Sequence, residues 1–123
     1  MINQPVSEAE IQKDIITRAT YRGWLVKRVN SGSFQHHRFG SGRTAGLPDL
    51  ICVKRGVCAF IEVKDGKGKL RPDQVQWFEA VVGHAVALDF RGAFVSGNFR
   101  AGVCDTWEGA LEILEGRIIE RGE

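Results

Sequence analysis

The stretch that decides the fold of this chain is residues 49–64, which read Asp49-Leu50-Ile51-Cys52-Val53-Lys54-Arg55-Gly56-Val57-Cys58-Ala59-Phe60-Ile61-Glu62-Val63-Lys64. Two runs of apolar, β-forming residues flank Arg55-Gly56, so the stretch predicts a β-hairpin. Among the registers that the sequence allows, pairing symmetric about the turn places Asp49 opposite Glu62. Because strand side chains alternate between faces, Glu62 and Lys64 lie on one face and Val63 on the other. We therefore expect two carboxylates and one amine to meet at one end of a sheet.

The signals on either side of the hairpin predict an α/β fold with a mixed sheet flanked by helices. Residues 7–22 have helical apolar spacing, with Ser7 as the N-cap and Gly23 as the end. The other predicted elements are a strand over 24–29, a glycine-rich loop over 30–47, a turn over 65–69, a helix from Pro72 to Gly83, a strand over 84–89, and a helix over 106–115 with Asp105 and Glu108 in capping-box spacing. Residues 91–102 are also rich in glycine and give no clear prediction.

Size and composition are those of one globular domain, which we place over residues 1–123. Of the 123 residues, 43% are hydrophobic and 26% are charged. No apolar run approaches the roughly 20 residues that span a bilayer, and the N-terminus lacks the features of a secretory signal. We therefore expect a cytoplasmic protein without membrane association. The 3 cysteines have no Cys-x-x-Cys spacing and are expected to be buried free thiols.

The distribution of charge is more informative than its sum, because the net charge is only +2. From Lys27 to Arg43 the chain carries four lysines and arginines and two histidines but no acidic residue. A basic surface of this kind can hold phosphates, and a solvated loop has the same composition. Both interpretations stay open on charge alone.

The polar residues at the strand ends predict a metal-dependent hydrolytic centre. Two converging carboxylates repel each other, and a hard divalent cation such as Mg²⁺ or Mn²⁺ relieves that repulsion through oxygen ligands. A cation of this type activates water for attack on a phosphodiester. Lys64 can orient or deprotonate that water, or offset the charge that develops on the phosphate. The alternative is a surface Glu-Lys pair beside an aspartate that merely begins a strand.

Five short segments, in chain order, carry a family resemblance. They are Ser7-Glu8-x-x-Ile11-Gln12, Arg28-Val29-Asn30-Ser31-Gly32, Gly46-Leu47-Pro48-Asp49-Leu50, Glu62-Val63-Lys64 and Leu70-x-Pro72-x-Gln74. Pro48-Asp49 with Glu62-Val63-Lys64 looks like the motif of the PD-(D/E)XK nuclease superfamily. Together, the segments resemble the stand-alone VRR-NUC domain of phage and bacteria.

The resemblance implies a restriction-endonuclease-like core and Mg²⁺- or Mn²⁺-dependent cleavage of DNA. It implies that Asp49, Glu62 and the Val63 carbonyl bind metal and that Lys64 is catalytic. Glu8 matches a further acidic residue of the family's metal site, and it shares a helix face with Gln12. Gln74 matches a glutamine that packs near the catalytic centre. Small members of this group often act as homodimers on branched DNA, in the manner of Holliday junction resolvases.

Residues that could contact DNA lie near the predicted centre in the sequence. The candidates are Arg28, Asn30, Ser31, Arg38, Arg43, Lys67 and Lys69. Arg71 extends the basic cluster of Lys67 and Lys69 directly after Lys64. Basic groups in glycine-rich segments can follow a phosphate backbone, although a solvated turn remains an alternative.

Two other functions compete with a structure-selective endonuclease. One is a DNA-binding module without catalysis, which has no need for two acids facing phosphate. The other is a nuclease of the same fold that acts on other DNA or on RNA. The sequence contains no evident base-reading helix or aromatic platform of the RNA-binding kind.

Overall fold

The predicted hairpin is present in the computed structural model, which describes residues 6–29 and 46–117. Strand β2 spans Leu50–Lys54 and β3 spans Val57–Val63, with Leu50 opposite Ile61 and Lys54 opposite Val57. Arg55 and Gly56 both have positive φ, 50° and 83°, as a two-residue hairpin turn with the right twist requires. Extending this register by one residue puts Asp49 opposite Glu62, which confirms the predicted pairing.

Helix α1 spans Glu8–Tyr21 and confirms the first predicted helix. The Ser7 hydroxyl accepts a hydrogen bond from the Glu10 amide, and the Glu10 carboxylate accepts one from the Ser7 amide, both at 3.1 Å. This reciprocal pair satisfies two amides that have no partner inside the helix. The Glu10 carboxylate therefore caps the helix, whereas the Glu8 carboxylate takes no part in the cap.

The remaining elements of the described ranges are three strands and two helices. They are β1 at Leu25–Arg28, α2 at Pro72–Val82, β4 at Gly92–Ser96, β5 at Phe99–Cys104 and α3 at Trp107–Glu115. Among the described residues the sheet has five strands in the order β1-β2-β3-β5-β4. Strands β3 and β5 are parallel, and the other neighbours are antiparallel.

The sheet is covered on both faces. Helices α1 and α3 pack on one face over Ile61 and Val63, in a core that also contains Leu50, Cys52, Ala59, Ile15 and Ile113. Helix α2 packs on the other face through Phe78, over Phe60, Ala101 and Val103. Glu62 and Lys64 are thereby covered on the α2 side of β3.

In the second half of the chain one predicted strand is absent, and the segment that gave no prediction contains strands. Residues 84–89 do not form a strand, because Val86 donates to the Glu79 carboxylate and Leu88 accepts from the Leu70 amide instead of joining a ladder. Residues 91–102, which gave no prediction, contain β4 and most of β5. Their glycines serve packing: a Cβ on Gly102 would lie 2.5 Å from the Gly92 carbonyl oxygen.

Three smaller expectations concern a helix cap, the cysteines and membrane-spanning helices. The N-cap of α3 is Thr106, whose hydroxyl accepts from the Gly109 amide at 3.0 Å, so the predicted Asp105 cap is wrong. Cys52 and Cys104 are buried free thiols as predicted, while Cys58 is half-buried. No described helix combines the length and apolarity needed to cross a membrane.

Candidate active site

Glu62 and Lys64 form a buried pair of ionisable side chains at the end of β3. The Lys64 ammonium lies 3.2 Å from Glu62 Oε2, so the two side chains share one face, as their spacing predicts. Glu62 is 1% exposed and Lys64 is 5% exposed. Val63, between them, is fully buried in the core on the opposite face. Burying two ionisable side chains costs solvation energy, so the pair is weak evidence for stability and marks a candidate functional site.

Asp49 is held against the same strand end. Its Oδ2 accepts a hydrogen bond from the Val63 amide at 2.9 Å, and its backbone carbonyl accepts one from Val29 at 2.8 Å. Asp49 is half-buried. The strand end therefore carries both carboxylates that the sequence predicts to converge.

Gln74 fixes the orientation of Glu62. It lies in the first turn of α2, where its Oε1 accepts from the Arg71 amide at 2.8 Å. Its Nε2 donates to Glu62 Oε2 at 2.8 Å. Since the amide bonds in both directions, its rotamer is determined. Gln74 is 3% exposed and belongs to the buried part of the site.

The surroundings raise the pKa of both acids in the absence of a bound cation. Burial raises the pKa of Glu62 to about 8, and the Asp49 carboxylate adds to that increase while Lys64 opposes it. Burial also raises the pKa of Asp49, against the Val63 hydrogen bond and the charge of Lys64. Repulsion between neighbouring carboxylates is one cause of the raised pKa values, and a bound cation would remove it.

Glu8 reaches the site from α1. It is half-buried, and its Oε2 lies 3.4 Å from the Asp65 amide nitrogen, directly after Lys64 in the chain. The Glu8 carboxylate also contributes to raising the pKa of Asp49. Glu8 thus lies at the same sheet edge as the other acids.

The donor set fits a hard cation. Glu62 Oε1 is buried and has no hydrogen-bond partner in the described parts of the chain, although a buried carboxylate oxygen is normally paired. Over residues 6–29 and 46–117, no three carboxylate, imidazole or thiol groups are close enough to form a metal site by themselves. Mg²⁺ does not require such a cage, because it keeps several waters and binds through one or two carboxylates.

The candidate DNA contacts are only partly described. Arg28 is exposed at the end of β1, opposite Leu50 and so beside Asp49. Lys67 and Lys69 are exposed in the turn that follows Lys64. The other four candidates, Asn30, Ser31, Arg38 and Arg43, lie outside the described residues.

A model of the VRR-NUC domain family matches residues 6–106 of the chain. The chain belongs to the VRR-NUC family. Among curated proteins, no sequence matches it. The five-stranded mixed sheet flanked by helices is consistent with the restriction-endonuclease-like fold of this family. Membership implies a nuclease that acts on DNA, and VRR-NUC nucleases are generally dependent on divalent metals.

Two further arginines lie close to this VRR-NUC site: Arg71, which the sequence marked as part of a basic cluster that could hold phosphate, and Arg91, which was not a candidate. The positive charge of Arg71, which precedes α2, lowers the pKa of both Asp49 and Glu62. Arg91 contacts the turn after Lys64, and no sequence signal pointed to it, because it lies in the segment that gave no prediction.

Proposed function

We propose that this VRR-NUC domain, over residues 1–123, is a Mg²⁺- or Mn²⁺-dependent endonuclease that hydrolyses phosphodiester bonds in branched DNA. The observation that supports this most directly is Glu62 Oε1, a buried carboxylate oxygen that has no partner among residues 6–29 and 46–117 and lies beside a second carboxylate. The proposed site of action is the cytoplasm of a bacterium or of a phage-infected cell.

The proposed roles follow from how each side chain is held. Asp49 and Glu62 would hold the cation, with the Val63 carbonyl and Glu8 as further ligands. When bound, the cation lowers the pKa of water and polarises the scissile phosphate. Gln74 keeps the Glu62 carboxylate in one orientation through its 2.8 Å hydrogen bond. Such supporting contacts typically change metal affinity or activity by about 10- to 100-fold.

Lys64 provides the positive charge of the reaction. Its ammonium, 3.2 Å from Glu62, is largely excluded from water, which strengthens its effect on nearby charge. It either orients and deprotonates the attacking water or offsets charge on the phosphate oxygens. In both roles, replacing it with alanine removes chemistry and leaves the DNA-binding surface intact.

Branched DNA and a homodimer form the finer part of the proposal. A domain of 123 residues has little area with which to hold a branched duplex, and two symmetric cuts require two active centres. We propose that Arg28, Lys67 and Lys69, with Asn30, Ser31, Arg38 and Arg43, contact the DNA backbone.

The test is cleavage of labelled four-way junction, flap, duplex and single-stranded DNA, with Mg²⁺, Mn²⁺ or chelator. Asp49→Ala and Lys64→Ala are each expected to lower the rate by about 10³-fold or more, as losses of electrostatic and acid–base catalysis together do. Both variants are expected to keep junction affinity within about threefold in chelator. Lys54→Ala, at the far end of β2, is the matched control for loss of a lysine.

The outcomes separate the alternatives. Normal cutting by both variants would overturn the site assignment. Junction binding without metal-dependent cleavage of any substrate would favour a non-catalytic module, and cleavage of RNA or of duplex DNA alone would favour another nuclease of this fold. Gel filtration with light scattering on the eluted peak tests the proposed dimer. A monomer at the concentration of the cleavage assay would contradict it.

A further inference from the structure

Arg91 links two parts of the chain that are distant in sequence, the turn after Lys64 and Asp105. Its Nη2 donates to the carbonyls of Asp65 at 3.0 Å and Gly68 at 2.7 Å. Its Nη1 donates to the Phe90 carbonyl at 3.1 Å, and its Nε lies 3.3 Å from Asp105 Oδ2. The side chain is only 20% exposed. One guanidinium therefore satisfies three carbonyl oxygens and one carboxylate, an arrangement that depends on the planar fork of arginine.

Two of those carbonyls belong to the turn Asp65–Lys69, which directly follows Lys64. Inside the turn, the Gly68 amide donates to the Asp65 carbonyl at 3.0 Å. The Lys67 backbone amide donates to the Asp65 carboxylate at 2.9 Å. On its other side, the Asp65 amide faces the Glu8 carboxylate at 3.4 Å. The turn is thus held between Arg91 and Glu8.

The space around the turn is tight as well as bonded. A Cβ on Gly68 would lie 3.1 Å from Glu8 Oε2 and 3.3 Å from the Lys64 Cβ. The backbone of the turn therefore has little freedom to shift relative to the acids and the lysine of the site. The exposed side chains of the turn, Lys67 and Lys69, project from this fixed backbone.

We propose that Arg91 is a positioning residue for DNA binding, which fixes the turn so that Lys67 and Lys69 are presented to the phosphate backbone. This inference rests on the proposed function. Without Arg91 the turn would have to be ordered on the DNA at a cost in conformational entropy, and a lysine contact worth less than that cost would be lost from the complex. Arg91 acts through the turn and does not itself touch the substrate.

The experiment measures the affinity of a fluorescent four-way DNA junction in chelator over a range of salt concentrations. Arg91→Lys and Arg91→Ala are compared with the wild type and with Arg100→Lys. Arg100 is a matched control because it also donates to a backbone carbonyl, that of Leu114, but on the α3 face of the sheet. Melting curves confirm that each variant is folded at the assay temperature, and Arg91→Lys is sufficient if Arg91→Ala does not fold.

We expect the Arg91 variants to bind about 3- to 10-fold more weakly, with the slope of log Kd against log salt reduced by about one phosphate contact. Arg100→Lys is expected to leave that slope unchanged. In a Lys67→Ala/Lys69→Ala background, Arg91→Lys is expected to cause no further loss beyond twofold, because residues that act through one another are not additive.

Three results would overturn the proposal. One is a wild-type salt slope in folded Arg91 variants. Another is a loss of equal size in the two backgrounds, which would indicate a structural role independent of the lysines. The third is a wild-type slope in Lys67→Ala/Lys69→Ala, since the turn would then not contact DNA. Because binding is measured without metal, failure here is distinct from failure of the cleavage activity.

Discussion

Glu62 combines three properties that are rarely found in one side chain. It is almost fully buried, it is oriented by Gln74 and Lys64, and one of its oxygens has no partner among the described residues. Its pKa, raised to about 8, means that the metal-free protein carries it mostly protonated at neutral pH. A cation that binds there must displace that proton, so metal affinity is expected to increase with pH up to that value.

The free energy of unfolding of the metal-free protein is expected to fall between about pH 4.5 and pH 8. The unfolded chain releases the Glu62 proton near the ordinary pKa of 4.5, whereas the folded chain keeps it until about pH 8. Within this window the folded state binds more protons, so raising the pH favours unfolding. Glu62→Gln is expected to flatten this decline, because the amide cannot ionise.

Urea unfolding in chelator at pH 5, 6, 7 and 8 measures this effect. Glu108→Gln is the control, because that glutamate is exposed in the first turn of α3. Parallel pH curves for Glu62→Gln and the wild type would contradict the account of Glu62.

At the scale of elements, the segment that carries Asp49 fits closely against the start of α2. Gly46 has a φ of +88°, and a Cβ there would lie 2.6 Å from the Asp73 carbonyl oxygen. Gly56, in the hairpin turn, has a similar φ of +83° but no atom within 4 Å of the same position. The two glycines therefore have similar φ angles. They differ in how close the neighbouring atoms lie to the position of an added Cβ.

This pair allows strain and steric contact to be separated. Gly56→Ala is expected to cost about 1 kcal/mol of unfolding free energy, from the left-handed backbone alone. Gly46→Ala is expected to cost about 1–3 kcal/mol more, because the backbone of α2 must move. Gly46→Ala is also expected to slow cleavage, since Asp49 lies three residues away. Equal costs in urea unfolding would show that the contact is unimportant.

Local patterns predicted the elements whose partners are near in sequence. The symmetry of residues 49–64 about Arg55-Gly56 gave the register, and the polar residues at its ends gave the acids and the lysine of the site. The strands of residues 91–104 were missed because their glycines are typical of loops in the sequence. Gly102 is required instead by a tertiary contact, since a Cβ there would lie 2.5 Å from the Ile113 side chain. Arg91 was missed for the same reason, because its partners Asp65 and Asp105 are distant in the chain.

On the scale of the whole molecule, the site joins elements that otherwise pack separately. Asp49 and Glu62 come from the hairpin, Gln74 from α2 on one face of the sheet, and Glu8 from α1 on the other. A cation bound by the acids of the folded chain has no equivalent site in the unfolded chain. Binding is therefore expected to stabilise the entire fold.

Adding Mn²⁺ or Mg²⁺ at pH 8 is expected to raise the Tm of the wild type. At 100 times the dissociation constant the gain corresponds to about 2.7 kcal/mol of unfolding free energy. Asp49→Ala and Glu62→Gln are expected to lose most of this shift, and Glu108→Gln to keep it. Scanning calorimetry with and without metal gives the comparison, and an equal shift in all four proteins would show that the ion binds elsewhere.

Strand β3 has one neighbour close in sequence and one far away. Strand β2 precedes it by a two-residue turn, whereas its parallel partner β5 begins only at Phe99. On the ribosome, the hairpin can pair as soon as it emerges, but an isolated hairpin is at best marginally stable in water. The parallel pairing and the burial of Glu62 must wait until β5 has been synthesised. The nascent chain is therefore expected to be unable to cut nucleic acid until most of its length has left the exit tunnel.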